Sequence, residues 1–95
     1  MLIGKRLREK SILQAKRIKA ISHPHRISIL HLLSNADMRV QELSVHMEIS
    51  PSLLEHHLSK LIALGLIKKQ LVGAMPFYGI NVKGMEELKK MLSDL

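Results

Sequence analysis

VQELSVHMEISPSLLEHHLSKLIALGLIKK, residues 40–69, is the stretch that decides the fold. Val40, Leu43 and Met47 recur at helical spacing and predict a short helix over about 40–47. Glu48-Ile49 is a turn. Ser50 is a good N-cap, because its hydroxyl accepts from an early helical N–H. Pro51 suits the first helical position, where its fixed φ is already right and its missing N–H costs nothing. The longer helix then runs over about 51–64, with Leu54, Leu58 and Leu61 facing inward. Gly65 closes it as a C-terminal glycine, and Leu66 to Val72 reads as a strand. The local order is short helix, tight turn, longer helix, strand.

Working outward, Gly73-Ala74-Met75-Pro76 reads as a tight connection and Phe77 to Asn81 as a second strand, so residues 66–81 form a hairpin. Asn81 can cap a last helix through Leu95, whose Met85, Leu88, Leu92 and Leu95 repeat at three- and four-residue steps. So narrow a stripe suits a helix–helix seam. Upstream, residues 5–21 read as a helix with Leu7, Ala15, Ile18 and Ile21 near one face. Ser22-His23-Pro24 breaks it, since a residue before proline avoids the α region. A second helix follows from Pro24 to about Ser34. Its Ile27, Ile29, Leu30, Leu32 and Leu33 leave little polar surface, so it is expected to be the buried one. Asn35-Ala36-Asp37 is a turn, and Met38 to Val40 has the makings of a very short strand. The expected fold is mainly α with a small β-hairpin: a winged helix-turn-helix of five helices plus a wing, with the helix-turn-helix at 40–64.

The 95 residues bound the chain to one domain, 1–95. Hydrophobic residues make up 46% and aromatic residues 2%, so the core must be aliphatic, and 17 Leu with 10 Ile suffice to build it. A chain this size buries roughly 60–70% of its unfolded surface, which supports only marginal stability alone and favours pairing with a second copy. The apolar content argues against disorder. With no Cys, a disulfide scaffold, a thiol nucleophile and every cysteine metal site are excluded. That fits a reducing cytosol and a cytoplasmic protein. The longest apolar stretch, Leu61 to Ile67, is far short of the ~20 residues of a membrane span. MLIGKRLREK, residues 1–10, has four basic residues where a secretory signal would need an apolar run.

The net charge is +7, and residues 1–26 hold all of it: eight basic groups against Glu9 alone, while residues 27–95 carry seven of each sign. A basic stripe suggests a polyanionic partner, most often nucleic acid, although a solvated helix face has the same composition.

The helix-turn-helix turns that suggestion into a mechanism. The second helix of such a pair fits a DNA major groove about 12 Å wide and offers its N-terminal side chains to base edges. Its N-terminal amides and dipole favour a phosphate. Positions Ser52, Leu53, Glu55, His56, Ser59 and Lys60 are expected to be exposed. Among them Ser52, Leu53, Glu55 and His56 are candidates for base contacts: Glu55 can accept from cytosine N4, and Leu53 can meet a thymine methyl or pack on the preceding helix. Arg39, Lys60, Lys68, Lys69 and part of the N-terminal cluster are candidates for phosphates. Gln41, Ser50, Pro51 and Ser59 complete the expected DNA-binding set.

The stretches KAISHPHRISILHLL (19–33) and VQELSVHMEISPSLLEHHLSKLIALGLIKK (40–69), followed by a hairpin ending FYGI (77–80), resemble the ArsR-type winged-helix transcriptional regulators. The likeness covers about residues 15–82. It rests on Pro24 and Arg26 before an apolar helix, Glu42-Leu43, Ile49-Ser50, His57-Leu58 with Leu61, and Gly65-Leu66-Ile67, all in the right order. The resemblance implies a homodimer packed through helices 5–21 and 82–95, with Leu7, Ala15, Ile18, Met85, Leu88, Leu92 and Leu95 at the seam. It also implies a roughly palindromic operator of double-stranded DNA and, most often, repression. Where many metal-sensing members carry Cys-Val-Cys, this chain has Arg39-Val40-Gln41, and Arg39 has no lone pair for a cation. The last helix has Glu86, Glu87 and Asp94 but no His. Neither usual metal site is present, so no metal and no cofactor is expected.

The six histidines, His23, His25, His31, His46, His56 and His57, repeat no zinc-site spacing. His57 is expected to be a core histidine and His56 an exposed one. There is no glycine-rich phosphate loop, no nucleophile-elbow serine and no recognisable acid–base pair, so an enzyme is not expected. The alternative is a winged-helix protein–protein module without DNA binding, motivated by the near-neutral second helix and uncharged wing, with an apolar patch around Leu53 and Met75. The sequence specifies neither operator nor small-molecule effector.

Overall fold

The computed structural model describes residues 2–95, with side chains from Gly4 onward. Seven elements follow in order: α1 (Leu2–Ile21), α2 (Pro24–Leu33), α3 (Val40–Met47), α4 (Pro51–Ala63), β1 (Ile67–Val72), β2 (Met75–Ile80) and α5 (Val82–Ser93). This is the five-helix, one-hairpin order read from the sequence.

The punctuation follows from local chemistry. His23 is extended ahead of Pro24, and its Nδ1 caps α2 by accepting from the His25 N–H at 3.2 Å. Glu48 turns the chain between α3 and α4 in the left-handed region, φ 55°. The Ser44 hydroxyl ties that turn shut by donating to the Ile49 carbonyl at 2.6 Å. Ser50 then caps α4 by accepting from the Leu53 N–H at 3.2 Å. Beyond α4, Gly65 sits at φ 70° while its N–H reaches Ile62 and the Leu66 N–H reaches Leu61. That is a Schellman ending, and it swings the chain into β1. Asn81 caps α5 by accepting from the Gly84 N–H.

β1 and β2 pair antiparallel from Ile67↔Ile80 to Val72↔Met75. Met38 extends the sheet by one residue, exchanging two backbone hydrogen bonds with Tyr78 at 2.8 and 2.9 Å. One core joins the elements: Ile29 and Leu33 from α2, Leu43 from α3, Leu54, Leu58 and Leu61 from α4, Leu66 and Ile67 at β1, Tyr78 from β2 and Leu88 from α5. Among the described residues no helix is long and apolar enough to cross a membrane.

Three expectations need correction. α1 begins at Leu2 rather than residue 5, the helix running on through Gly4. α2 is not a fully buried helix: Ile29 and Leu33 are inside, whereas Ile27 is 54% exposed. The hairpin connection is only Gly73-Ala74, with Gly73 at φ 64°, so Met75 and Pro76 belong to β2. Pro76 is tolerated because a two-stranded sheet leaves half its backbone groups unpaired. The inner face of α1 carries polar side chains. Gln14, Arg17 and Ala20 are buried there, while Leu7, Ala15 and Ile18 face outward and Ile21 is half-buried.

Candidate nucleic-acid interface

α4 stands out from the protein along one edge. Its underside, Leu54, His57, Leu58 and Leu61, is buried, and its other edge carries Ser52, Leu53, Glu55, His56, Ser59 and Lys60, all exposed as expected. Ser50 and Pro51 at its start are exposed too. The Ser59 hydroxyl donates back to the His56 carbonyl at 2.8 Å, which leaves its oxygen free to accept. Greasy spacing fixes which way the helix faces; the polar residues between are what it can offer a ligand.

Two clefts flank this edge. On the wing side, a cleft of about 250 Å³ is lined by Arg39 and Gln41 at the start of α3, Pro51 and Glu55 of α4, and Lys69, Met75 and Tyr78 of the wing. Arg39 is held here by Glu42, whose Oε1 accepts from both the Arg39 backbone N–H and its Nε at 3.2 Å. The backbone bond first, then the guanidinium, holds the Glu42 carboxyl below the usual carboxylate range. The Lys69 ammonium lies 5.9 Å from the centre of the Tyr78 ring. Neighbouring strand residues face opposite ways, so Lys68 is exposed on the other side of the wing and does not line this cleft. On the opposite flank, Lys60 shares a cleft of about 460 Å³ with Lys16 and Lys19 of α1 and Arg26 of α2.

His57 is the core histidine expected, 3% exposed. Its Nδ1 accepts from Arg26 Nε at 3.1 Å, which requires a neutral ring protonated on Nε2. Nε2 itself is buried without a hydrogen-bond partner. The rings of His23, His25 and His56 lie 4.5, 5.4 and 5.5 Å away, centre to centre. Burial, then the positive charge of His23, Arg26, His25 and His56, push its pKa below the ordinary histidine range. Despite this crowding, no three His, Asp or Glu side chains among the described residues are arranged to hold a metal ion.

The residues expected at a seam between two copies divide. Leu7, Ala15, Ile18, Leu92 and Leu95 are exposed and available to a second copy. Met85 is half-buried against the protein's own core. Leu88 is 1% exposed inside that core and has no surface left for a partner, because the first half of α5 must pack on its own chain. The apolar patch expected around Leu53 and Met75 does not form. Met75 lines the wing cleft on the Glu55 flank, and Leu53 lies about 160° from Glu55 around the helix axis.

Two residues matter that sequence reading treated only as charge or as part of a motif. Arg17 is buried and donates to the Leu64 carbonyl, Gln14 and Glu87. Arg26 orients His57. The signal for Arg17 lay in the three-residue step Gln14, Arg17, Ala20, which is helical spacing on a face with no large apolar residue.

A model of the bacterial regulatory protein arsR family matches residues 23–69. The transcriptional repressor SdpR of Bacillus subtilis (strain 168) is 33% identical over 69 residues, 73% of this chain and 77% of that protein. The transcriptional activator HlyU of Vibrio cholerae is 35% identical over 74 residues, 75% of this chain and 68% of that one. Among solved structures, an ArsR-like transcriptional regulator from Rhodococcus sp. RHA1 superposes with a TM-score of 0.81 at 25% identity, over 88% of this chain and 79% of its own. HlyU from V. cholerae N16961 does so with a TM-score of 0.71 at 32% identity, over 90% and 96%.

Proposed function

The chain belongs to the arsR family of bacterial regulatory proteins, and from that membership we propose that it works as a cytoplasmic homodimer that represses transcription by occupying a two-fold-symmetric operator. It is a winged helix-turn-helix transcription regulator, and with no cysteine it lacks the cysteine-based metal-sensing site. One observation carries the finer reading. Leu54, Leu58 and Leu61 lock α4 from beneath, leaving Ser52, Leu53, Glu55 and His56 as a polar-edged ridge at the helix N-terminal half, where base edges are read. Around that ridge, Arg39, Gln41, Ser50, Pro51, Ser59, Lys60 and Lys69 supply phosphate and rim contacts, and Lys68 reaches only backbone beyond the wing. Leu7, Ala15 and Ile18 of α1, with Leu92 and Leu95 of α5, form the seam between the two copies. Occupancy needs only the DNA-bound dimer, so repression requires no further machinery.

Selection of bound sequences from random double-stranded DNA tests the reading. Two related half-sites centred about 34 Å apart are expected. Failure to enrich any sequence, or enrichment of a single unrepeated half-site by a monomer, overturns it.

A further inference from the structure

The two clefts beside α4 differ in charge. On the wing side, Arg39 and Lys69 face Glu55 and Glu42, so positive and negative charge nearly cancel. On the other side, Lys16, Lys19, Arg26 and Lys60 surround a floor that includes Ala20 and Ala63, and no carboxylate lines it. Among the described residues none of these four lies within ion-pair distance of an acid. Lys60 is the only lysine of α4, and it stands on this flank. Arg26 is fixed in place by its bond to His57.

The charge does not stop at the cleft. Lys5, Arg8, Lys16 and Lys19 are all exposed, and steps of three, eight and three residues keep them within one face of α1, where Glu9 at the edge is the one acid beside them. The stripe leads away from Lys60 for about 21 Å. Four cations gathered at one open cleft repel one another, and a row of phosphates relieves that repulsion where a single small anion would meet only its end.

We propose that the α1 face ending at Lys16 and Lys19, together with Lys60 and Arg26, is the principal phosphate-binding surface, holding the DNA strand on the side of the major groove away from the wing. This rests on the DNA-binding reading above and adds where the backbone is held. α4 lies between two sugar–phosphate strands, and the strand beside α1 meets four uncompensated cations while the strand beside the wing meets a nearly neutral cleft.

The test is a salt titration of binding to a random-sequence duplex, repeated with a selected duplex. It compares the wild-type chain with Lys16→Gln/Lys19→Gln and with Lys83→Gln/Lys90→Gln. All four lysines are exposed, so both variants are expected to fold, and circular dichroism checks that they do. Both remove two charges, but Lys83 and Lys90 are on α5. The α1 variant should bind more weakly to both duplexes, with the slope of log affinity against log salt reduced by about 0.9 for each phosphate no longer neutralised. The α5 variant should keep the wild-type slope. An unchanged slope in the α1 variant, or equal weakening in both, overturns the inference while leaving DNA binding standing. A wild-type affinity that ignores salt overturns both.

Discussion

Arg17 Nε donates to the Leu64 carbonyl at 2.9 Å, across 47 residues of sequence. The bond ties α1 to the last turn of α4, whose carbonyls have no helical partner of their own. The same guanidinium reaches Gln14 Oε1 at 3.1 Å and Glu87 Oε1 at 3.4 Å, so α1, α4 and α5 meet at one side chain. Arg17→Met leaves the Leu64 carbonyl and the Gln14 amide oxygen without their donor and should lower unfolding free energy by about 1–3 kcal/mol. Glu87 is half exposed, so Glu87→Gln should cost under about 1 kcal/mol. Urea unfolding of the two variants checks the order; equal losses contradict it.

His57 makes stability depend on pH. Its folded pKa lies below the unfolded value near 6.5, so the unfolded chain takes up the proton first as pH falls. Stability from this group is complete above about 6.5 and is lost as pH falls through the folded value. Protonation also turns Nδ1 from acceptor to donor and so breaks its bond to Arg26. In His57→Gln, the amide oxygen can still accept from Arg26 but nothing titrates. Urea midpoints from pH 8 to 5 should fall more steeply in the wild type than in this variant. Parallel curves contradict the assignment.

Gly84→Ala sets two effects against each other. Alanine is the better helix former by about 1 kcal/mol. At this position its Cβ would collide with the Gly65 carbonyl, a backbone atom in a left-handed turn that cannot swing aside. The clash should win, at a net loss of about 1–3 kcal/mol. A variant more stable than the wild type in thermal unfolding would show that α5 packs only loosely on Gly65.

Ser50→Ala removes the hydroxyl that accepts from the Leu53 N–H. It should cost about 1 kcal/mol of stability, and Ser50→Gly only a few tenths. Fraying at this end should also lower amide-exchange protection in α4 most at Leu53 and least at Leu58. A uniform drop along the helix would mean that the cap acts on the whole fold instead.

The architecture was legible because its punctuation is chemical. Pro24, Ser50-Pro51, Gly65 and Asn81 each mark an end by a property of the residue itself, and the Leu54, Leu58, Leu61 spacing sets the face of α4. What the sequence could not convey was which apolar residue finds a partner within its own chain. Leu88 and Leu92 repeat alike, yet Leu88 packs in the core and Leu92 is exposed. Likewise Ile27 looks as apolar as Ile29 and lies outside. Arg17 and Arg26 were hidden for the opposite reason: long charged side chains read as surface until a carbonyl and an imidazole 47 and 31 residues away are seen to accept from them.

Sequence specificity is assigned to the outward edge of α4. The direct measurement is the affinity of the wild type and of Ser52→Ala/His56→Ala for a selected duplex and a scrambled one at the same salt concentration. Both positions are exposed, so the fold should survive. The wild type should prefer the selected duplex by roughly 10³-fold or more. The variant should lose at least about tenfold of that preference while binding the scrambled duplex as the wild type does. A variant that keeps the full preference would contradict the assignment, because the specificity would then reside somewhere other than this helix edge.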